Sequence, residues 1–70
     1  LDTAARLYEQ ALVIAPWWPQ GHFNHALILG EMACPDAASV EMYRYLYLVP
    51  NAPNANAATQ KIAEWGTPAF

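Results

Sequence analysis

Two histidines, His22 and His25, are the first candidates for chemistry, because imidazole is the commonest side-chain ligand for metals in proteins. They lie three residues apart, so a helix would present both rings on one face. A structural zinc site usually takes four nitrogen or sulfur ligands, and a third ligand would have to come from Cys34 or Glu31. The alternative interpretation is that both histidines are packing residues, with His25 in a position that is usually apolar.

Cys34 is the only cysteine, and beside a histidine it would be a candidate nucleophile. No oxyanion-forming motif, phosphate-binding loop or dinucleotide fingerprint accompanies it. The acidic residues form no pair with a catalytic setting and indicate solvated helix faces; they are Asp2, Glu9, Glu31, Asp36, Glu41 and Glu64. We therefore predict that the protein is not an enzyme and needs no cofactor. The alternative is a small metal-binding or catalytic helical domain that uses His22, His25 and Cys34.

The composition indicates that a partner buries part of the apolar surface of this chain. Hydrophobic residues make up 56% of the 70 residues and charged residues only 13%, against a usual charged fraction of roughly 25%. A core of this size gives little stability by itself, so we expect a protein or peptide partner to bury apolar surface. The net charge is −3, and the three basic residues, Arg6, Arg44 and Lys61, are dispersed, which argues against nucleic-acid binding. No apolar run approaches the roughly 20 residues of a membrane span.

Prolines divide the chain into four segments with helical periodicity. The predicted helices cover residues 2–15, 20–33, 36–49 and 52–65. A strict alternation of apolar and polar residues is absent, so no strand is predicted and the fold class is all-α.

Glycine and asparagine refine the predicted helices. Gly21 and Gly30 each weaken the second helix by roughly 1 kcal/mol relative to alanine, so tertiary packing has to compensate. Asn51 is the predicted N-cap of the last helix, with Pro53 in its first turn. Gly66, with a proline two residues later, predicts the end of that helix.

An internal repeat emerges when the chain is shifted by 34 residues. When the sequence is aligned with itself at this offset, the ends of the first and third predicted helices coincide. Both ends are rich in aliphatic residues and are followed by proline. A period of 34 residues built from two helices is typical of the tetratricopeptide repeat. The family's small, large, small and proline positions correspond to Ala4, Tyr8, Ala11 and Pro16, and then to Ala38, Met42, Tyr45 and Pro50. Over residues 4–65 the sequence therefore resembles the tetratricopeptide repeat (TPR) family.

The resemblance implies an antiparallel helix-turn-helix arrangement, a four-helix fragment of a right-handed α-α superhelix in one domain, residues 1–70. Residues 1–16 would be the second helix of a partial repeat, 19–52 a full repeat, and 53–66 a capping helix. Members of the family bind peptides or helices in a groove lined by the first helix of each repeat. The corresponding groove residues here are Gln20, Phe23, Asn24, Leu27 and Glu31. The implied function is a protein-protein interaction scaffold.

The sequence departs from the family pattern at six positions. Met42 and Tyr45 are not the commonest residue types at their positions in the third helix. Ala33 stands where a turn glycine is usual, Pro35 replaces a usual aromatic, and His22 and His25 are both unusual. The core position of His25 predicts that its side chain is buried and preferentially neutral, because burial disfavours a charged imidazole. Replacement of His25 by leucine is then expected to leave stability unchanged or to raise it.

The first predicted helix lacks the helix that precedes it in a complete repeat, so its apolar side has to contact something. One interpretation is that the chain is the end of a longer repeat scaffold. The other is a homo-oligomer, expected to be a two-fold dimer joined through residues 1–15. The residues predicted to mediate self-association are Leu1, Leu7, Tyr8, Leu12, Trp17 and Trp18. Trp17 and Trp18 could be interface hot spots, in which tryptophan is enriched. An equally good interpretation is that one ring packs under the turn while the other stays partly exposed.

Overall fold

The computed structural model describes residues 2–66 and consists there of four α-helices without any strand. The helices are α1 (Asp2–Ile14), α2 (Pro19–Glu31), α3 (Pro35–Leu48) and α4 (Ala55–Trp65). The predicted all-α fold class is thereby confirmed. Within the described part of the chain, no helix is both long and apolar enough to cross a membrane.

Helices α2 and α3 each begin at a proline, Pro19 and Pro35. Proline suits a first helical position, because its ring fixes φ at a helical value and the first backbone N–H groups of a helix have no intrahelical acceptor. Sequence analysis placed these two prolines just outside the helices, and the structure includes them.

The start of α4 was predicted wrongly. Asn51 and Pro53 lie before the helix, and Asn54 occupies the N-cap position without a side-chain capping bond. The physical reason is a pair of successive turns. The N–H of Ala52 donates to the carbonyl of Val49, and the N–H of Ala55 donates to the carbonyl of Ala52. These turns occupy residues 49–55 in place of a first helical turn.

The turn between α2 and α3 is a Schellman motif with alanine in the usual glycine position. The N–H of Cys34 donates to the carbonyl of Leu29, and the N–H of Ala33 donates to the carbonyl of Gly30, which is the hydrogen-bond pattern of that motif. Ala33 has a φ of 59°, a left-handed conformation that strains a residue with a Cβ atom. The departure at Ala33 therefore leaves the turn type intact and adds backbone strain.

Each helix packs on the next one along the chain: α1 on α2, α2 on α3, and α3 on α4. The apolar core lies where α2, α3 and α4 meet and contains Ala26, Met42, Tyr45, Ala58 and Ile62. Alanines allow the helix backbones to approach closely, and Met42 fills the space between them. Phe23 meets Tyr45 edge to face, with ring centroids 4.9 Å apart, a favourable aromatic geometry. Ala58 and Ile62 of α4 are buried in this core.

Two tryptophans explain the two glycines of α2. The Trp18 ring lies against Gly21 and the Trp65 ring lies against Gly30, so closely that a Cβ atom at either glycine would collide with an indole. The cost of glycine in a helix is therefore offset by aromatic packing, as the sequence required. Gly66, with a φ of 91°, follows the last residue of α4 as predicted.

Candidate functional site

A buried polar cluster, formed by His22, His25 and Glu41, joins α2 to α3. Oε2 of Glu41 lies 3.0 Å from Nδ1 of His22 and 2.8 Å from Nδ1 of His25. Oε1 of the same carboxylate accepts a hydrogen bond from the guanidinium of Arg44, one turn further along α3. All three members of the polar cluster are buried, whereas Arg44 reaches solvent.

The carboxyl group of Glu41 is held in its ionised form. Burial by itself raises the pKa of Glu41, but hydrogen bonds from His25, His22 and Arg44 outweigh burial and bring the pKa below its ordinary value. An ionised carboxylate can only accept hydrogen bonds. Both histidines must therefore present an Nδ1–H to Glu41.

His22 is fixed at both ring nitrogens. Its Nδ1 faces the Glu41 carboxylate, and its Nε2 lies 2.7 Å from the carbonyl oxygen of Pro16 in the α1–α2 turn. Since both partners are acceptors, the two hydrogen bonds exist together only when the ring carries a proton on each nitrogen. His22 thus connects three parts of the chain, namely the turn, α2 and α3.

His25 is fixed at only one ring nitrogen. Its Nδ1–H donates to Glu41, so in the neutral ring Nε2 carries a lone pair and acts as an acceptor. Within residues 2–66, this Nε2 is a buried side-chain polar atom without a hydrogen-bond partner. The nearest acidic group is Oε1 of Glu9, 3.9 Å away, which is too far for a hydrogen bond. In this form of the ring, two acceptors on α1 and α2 face each other without a donor between them.

The polar cluster forms the floor of an open groove between α1 and α3, with a volume of about 1170 Å³. We call this space the α1/α3 groove. Its lining is mainly apolar and consists of Glu9, Leu12, Val13, Pro16, His22, His25, Val40, Glu41, Tyr43, Arg44, Leu46, Tyr47 and Leu48. Two of the lining side chains, Val13 and Tyr47, are 82% and 88% exposed. The groove thus combines an apolar wall, a polar floor and one unsatisfied acceptor.

The α1/α3 groove contains one pair of side chains with the geometry of a general base. A carboxylate that orients an imidazole is the arrangement of a general base, and Glu41 with His25 has that geometry. No serine, threonine or cysteine lies among the lining residues. The pair therefore has none of these side-chain nucleophiles beside it.

The metal ligands considered from the sequence do not come together. Cys34 is exposed at the α2–α3 turn, with its Sγ 3.7 Å from the carbonyl oxygen of Met32. His22 and His25 turn their Nδ1 atoms to Glu41 instead. Within residues 2–66, no group of three histidine, cysteine or acidic side chains is placed to hold a metal ion.

The five residues predicted to line a binding groove lie elsewhere on α2, and none of them lines the α1/α3 groove. Gln20 and Glu31 are exposed, and Gln20 donates to Asn24 at 3.1 Å. Asn24 in turn donates to the hydroxyl of Tyr8 on α1. Phe23 and Leu27 pack against the apolar core. These contacts within the chain leave part of that predicted surface already occupied.

The residues predicted to mediate self-association divide into two groups. Leu7 and Trp17 are exposed, and Trp18 is partly so. Tyr8 and Leu12 are engaged within the chain: Leu12 is buried, and Tyr8 lies between the rings of Trp18 and His25, with centroid distances of 6.0 and 6.4 Å. The sixth residue, Leu1, lies outside the described residues. The two tryptophans follow the prediction that one packs and the other stays exposed.

Glu41 is the functional residue that sequence reasoning missed. The spacing of Glu41 in the sequence could have indicated its burial, because Glu41 shares a helix face with the buried residues Ala38, Met42 and Tyr45. A carboxylate on the apolar face of a helix needs a partner, and the two histidines on the neighbouring helix are the natural candidates. We had instead interpreted Glu41 as one of several solvated acidic residues.

Comparisons of the chain with protein-family models, with curated proteins and with solved structures found no match.

Proposed function

We propose that this protein is a non-catalytic interaction module of the TPR type, which receives a segment of a partner polypeptide in the α1/α3 groove. The observation that carries the proposal is the combination of an open groove of about 1170 Å³ with apolar side chains left exposed along its walls. Exposed apolar surface that is contiguous and bordered by polar groups marks interaction sites in soluble proteins.

The residue types along the α1/α3 groove support binding of a polypeptide. Tyr43, Tyr47 and Arg44 lie on the α3 wall, and tyrosine and arginine are enriched among the residues that dominate binding energy at protein interfaces. The exposed Val13 on the α1 wall provides aliphatic surface. A helix or an extended segment placed between the two walls would bury apolar side chains on both sides.

The TPR assignment is supported by the spacing of the helices. Helix α1 ends at Ile14 and α3 ends at Leu48, which are 34 positions apart, and each is followed by a short turn that contains a proline. Successive helices pack on one another in chain order, the arrangement that a helical repeat uses. A TPR-type scaffold acts by binding other polypeptides. The α1/α3 groove lies between two helices that correspond to second helices of a repeat, and so differs from the family's groove along the first helix.

Selection from a displayed library of random peptides, each roughly 15 residues long and thus about four helical turns, tests the proposal. We expect enrichment of peptides rich in apolar residues. Addition of a selected peptide to ¹⁵N-labelled protein should shift the amide resonances of groove residues on α1 and α3. Shifts confined to α4, or the absence of any enriched peptide, would contradict the proposal.

A second candidate function is self-association through α1. Leu7 and Ile14 on α1, and Trp17 just beyond it, are exposed and apolar, and burial of such side chains is worth roughly 1.5–3 kcal/mol each. Light scattering over a concentration series measures the oligomeric state. We expect a dimer that Leu7→Glu dissociates, and a wild-type monomer at high micromolar concentration would rule this candidate out.

A further inference from the structure

We infer that the α1/α3 groove selects a partner segment in which apolar residues flank one lysine or arginine, and that this basic side chain binds between His25 and Glu9. The inference rests on the proposed function and specifies the chemistry of the partner. It starts from the unpaired Nε2 of His25, since the side chain of His25 is only 8% exposed and yet one ring nitrogen has no partner in the described part of the chain.

The chemistry required at this point is that of a donor. Nδ1–H of His25 is committed to the ionised Glu41, so Nε2 of the neutral ring is a lone-pair acceptor. Oε1 of Glu9, 3.9 Å from Nε2, is a second acceptor and carries negative charge. An ammonium or guanidinium group offers several N–H donors together with a positive charge. Glu9 is exposed, whereas Nε2 of His25 is shielded from solvent, so such a group would pair with Glu9 first and would bond to Nε2 after a local shift of the covering side chains.

The other charges along the α1/α3 groove are already compensated. Glu41 accepts from Arg44 through Oε1 and from the two histidines through Oε2. The remaining groove carboxylate, Glu9, has the His25 ring at 3.9 Å as its nearest basic group in the described chain, and the neutral form of that ring adds no positive charge there. A negative charge beside an unfilled acceptor favours a cationic group on the partner through electrostatic complementarity.

A second copy of the chain is poorly suited to supply this cation. The sequence contains three lysine and arginine residues, and each is paired within the chain. Arg6 lies 3.3 Å from Asp2, Lys61 lies 3.7 Å from Glu64, and Arg44 is bound to Glu41. The charge distribution thus favours a different, basic partner.

The test uses the selected peptides described above and replaces their basic residue. We expect the peptides to share one lysine or arginine among apolar residues, and replacement of a lysine by norleucine to weaken binding about tenfold, as for a hydrogen bond to a charged group. Binding is measured by titration calorimetry with the folded 70-residue protein.

Two variants locate the effect, and a third is the control. In Glu9→Gln, an exposed position that should not disturb folding, the preference for lysine over norleucine should fall by roughly two- to fivefold. In His25→Phe, checked for helicity, the preference should be largely lost. Glu64→Gln removes an equally exposed carboxylate on α4 and should leave the preference unchanged.

The outcomes separate the two proposals. If selected peptides bind the α1/α3 groove but lack a basic residue, or bind equally well with norleucine, the inference is wrong and the proposed function stands. If Glu9→Gln and Glu64→Gln reduce the preference equally, the basic residue responds to overall charge and the site between His25 and Glu9 is wrong. If the library yields no binder, the proposed function fails and the inference fails with it.

Discussion

The two sides of the α2–α3 pair differ in what covers them. On one side, α4 closes an apolar core in which Ala26, Met42 and Ala58 are fully buried. On the other side, α1 and α3 diverge above the polar cluster, and exposed valine and tyrosine side chains line the gap. The closed side holds the structure together by packing. The open side holds buried polar groups, and one of them lacks a hydrogen-bond partner within the described chain.

The difference shows where stability and function are located. The side covered by α4 has much of its apolar surface buried, whereas the open side keeps apolar side chains in water, which folding alone does not favour. We therefore attribute stability mainly to the closed side and binding to the open side. Substitutions on the two sides should separate these roles.

The largest effect on stability is expected from Met42→Ala on the closed side. Met42 is completely buried, so its truncation should leave a cavity and cost about 4 kcal/mol, within the range for buried methionine. A domain of this size has little reserve, so the variant should be largely unfolded. Urea denaturation followed by circular dichroism measures the loss. Val13→Ala, on the exposed wall of the open side, is the control and should change stability by less than about 0.5 kcal/mol.

The two histidines of the polar cluster should differ in the same measurement. His22→Leu removes two hydrogen bonds and leaves the Pro16 carbonyl without its partner, a loss of about 2 kcal/mol. His25→Leu removes one hydrogen bond and also an unsatisfied nitrogen, so the loss should be about 1 kcal/mol or less. This revises the expectation from sequence that leucine at His25 would be neutral or stabilising. Equal losses in the two variants would contradict the assigned hydrogen bonds.

Acidification should weaken the polar cluster through Glu41. Its pKa in the folded state is lowered by hydrogen bonds from both histidines and Arg44, against the opposing effect of burial. The stability linked to Glu41 is therefore fully present above the pKa of an unfolded glutamate, about 4.3. It is lost as the pH falls through the lower folded-state value.

The stability difference between the wild type and Glu41→Gln isolates this contribution. The difference should shrink as the pH falls from about 5 to about 2, as measured by urea denaturation at each pH. A difference that stays the same over the whole range would show that Glu41 is not preferentially ionised in the folded state.

The smallest effect is expected at the Schellman motif, away from both sides. Ala33 has a φ of 59°, and glycine adopts this conformation without a clash of its Cβ atom. Ala33→Gly should therefore stabilise the protein, by about 0.5–1 kcal/mol after the greater freedom of glycine in the unfolded chain is counted. Thermal unfolding measures the change. Ala57→Gly, at an exposed position within α4, is the control and should destabilise.

The sequence was sufficient for the helices because their ends are set by local chemistry. Pro19 and Pro35 determine where α2 and α3 begin, and Gly66 determines where α4 ends. The beginning of α4 was missed because two consecutive turns between Val49 and Ala55 compete with a helix, and the sequence does not decide between such local alternatives.

The candidate site was largely beyond prediction from the sequence. The burial of His25 followed from its position on α2, but its partner did not. Glu41 is 16 residues from His25 in the chain, and a carboxylate on a helix usually faces water. The α1/α3 groove exists because α1 and α3 both pack on α2 and not closely on each other. This tertiary arrangement cannot be predicted from local sequence patterns.

Paired binding measurements on two adjacent residues test the central claim most directly. Val13 lines the α1/α3 groove, whereas Ile14 is 78% exposed and does not line it. Both substitutions, Val13→Glu and Ile14→Glu, place the same charge on the same helix at similarly exposed positions. We predict that Val13→Glu weakens binding of a selected peptide by at least about tenfold, as expected at the centre of an interface, and that Ile14→Glu leaves it nearly unchanged. Equal loss in both variants, or a loss only with Ile14→Glu, would contradict the assignment of the α1/α3 groove as the binding site.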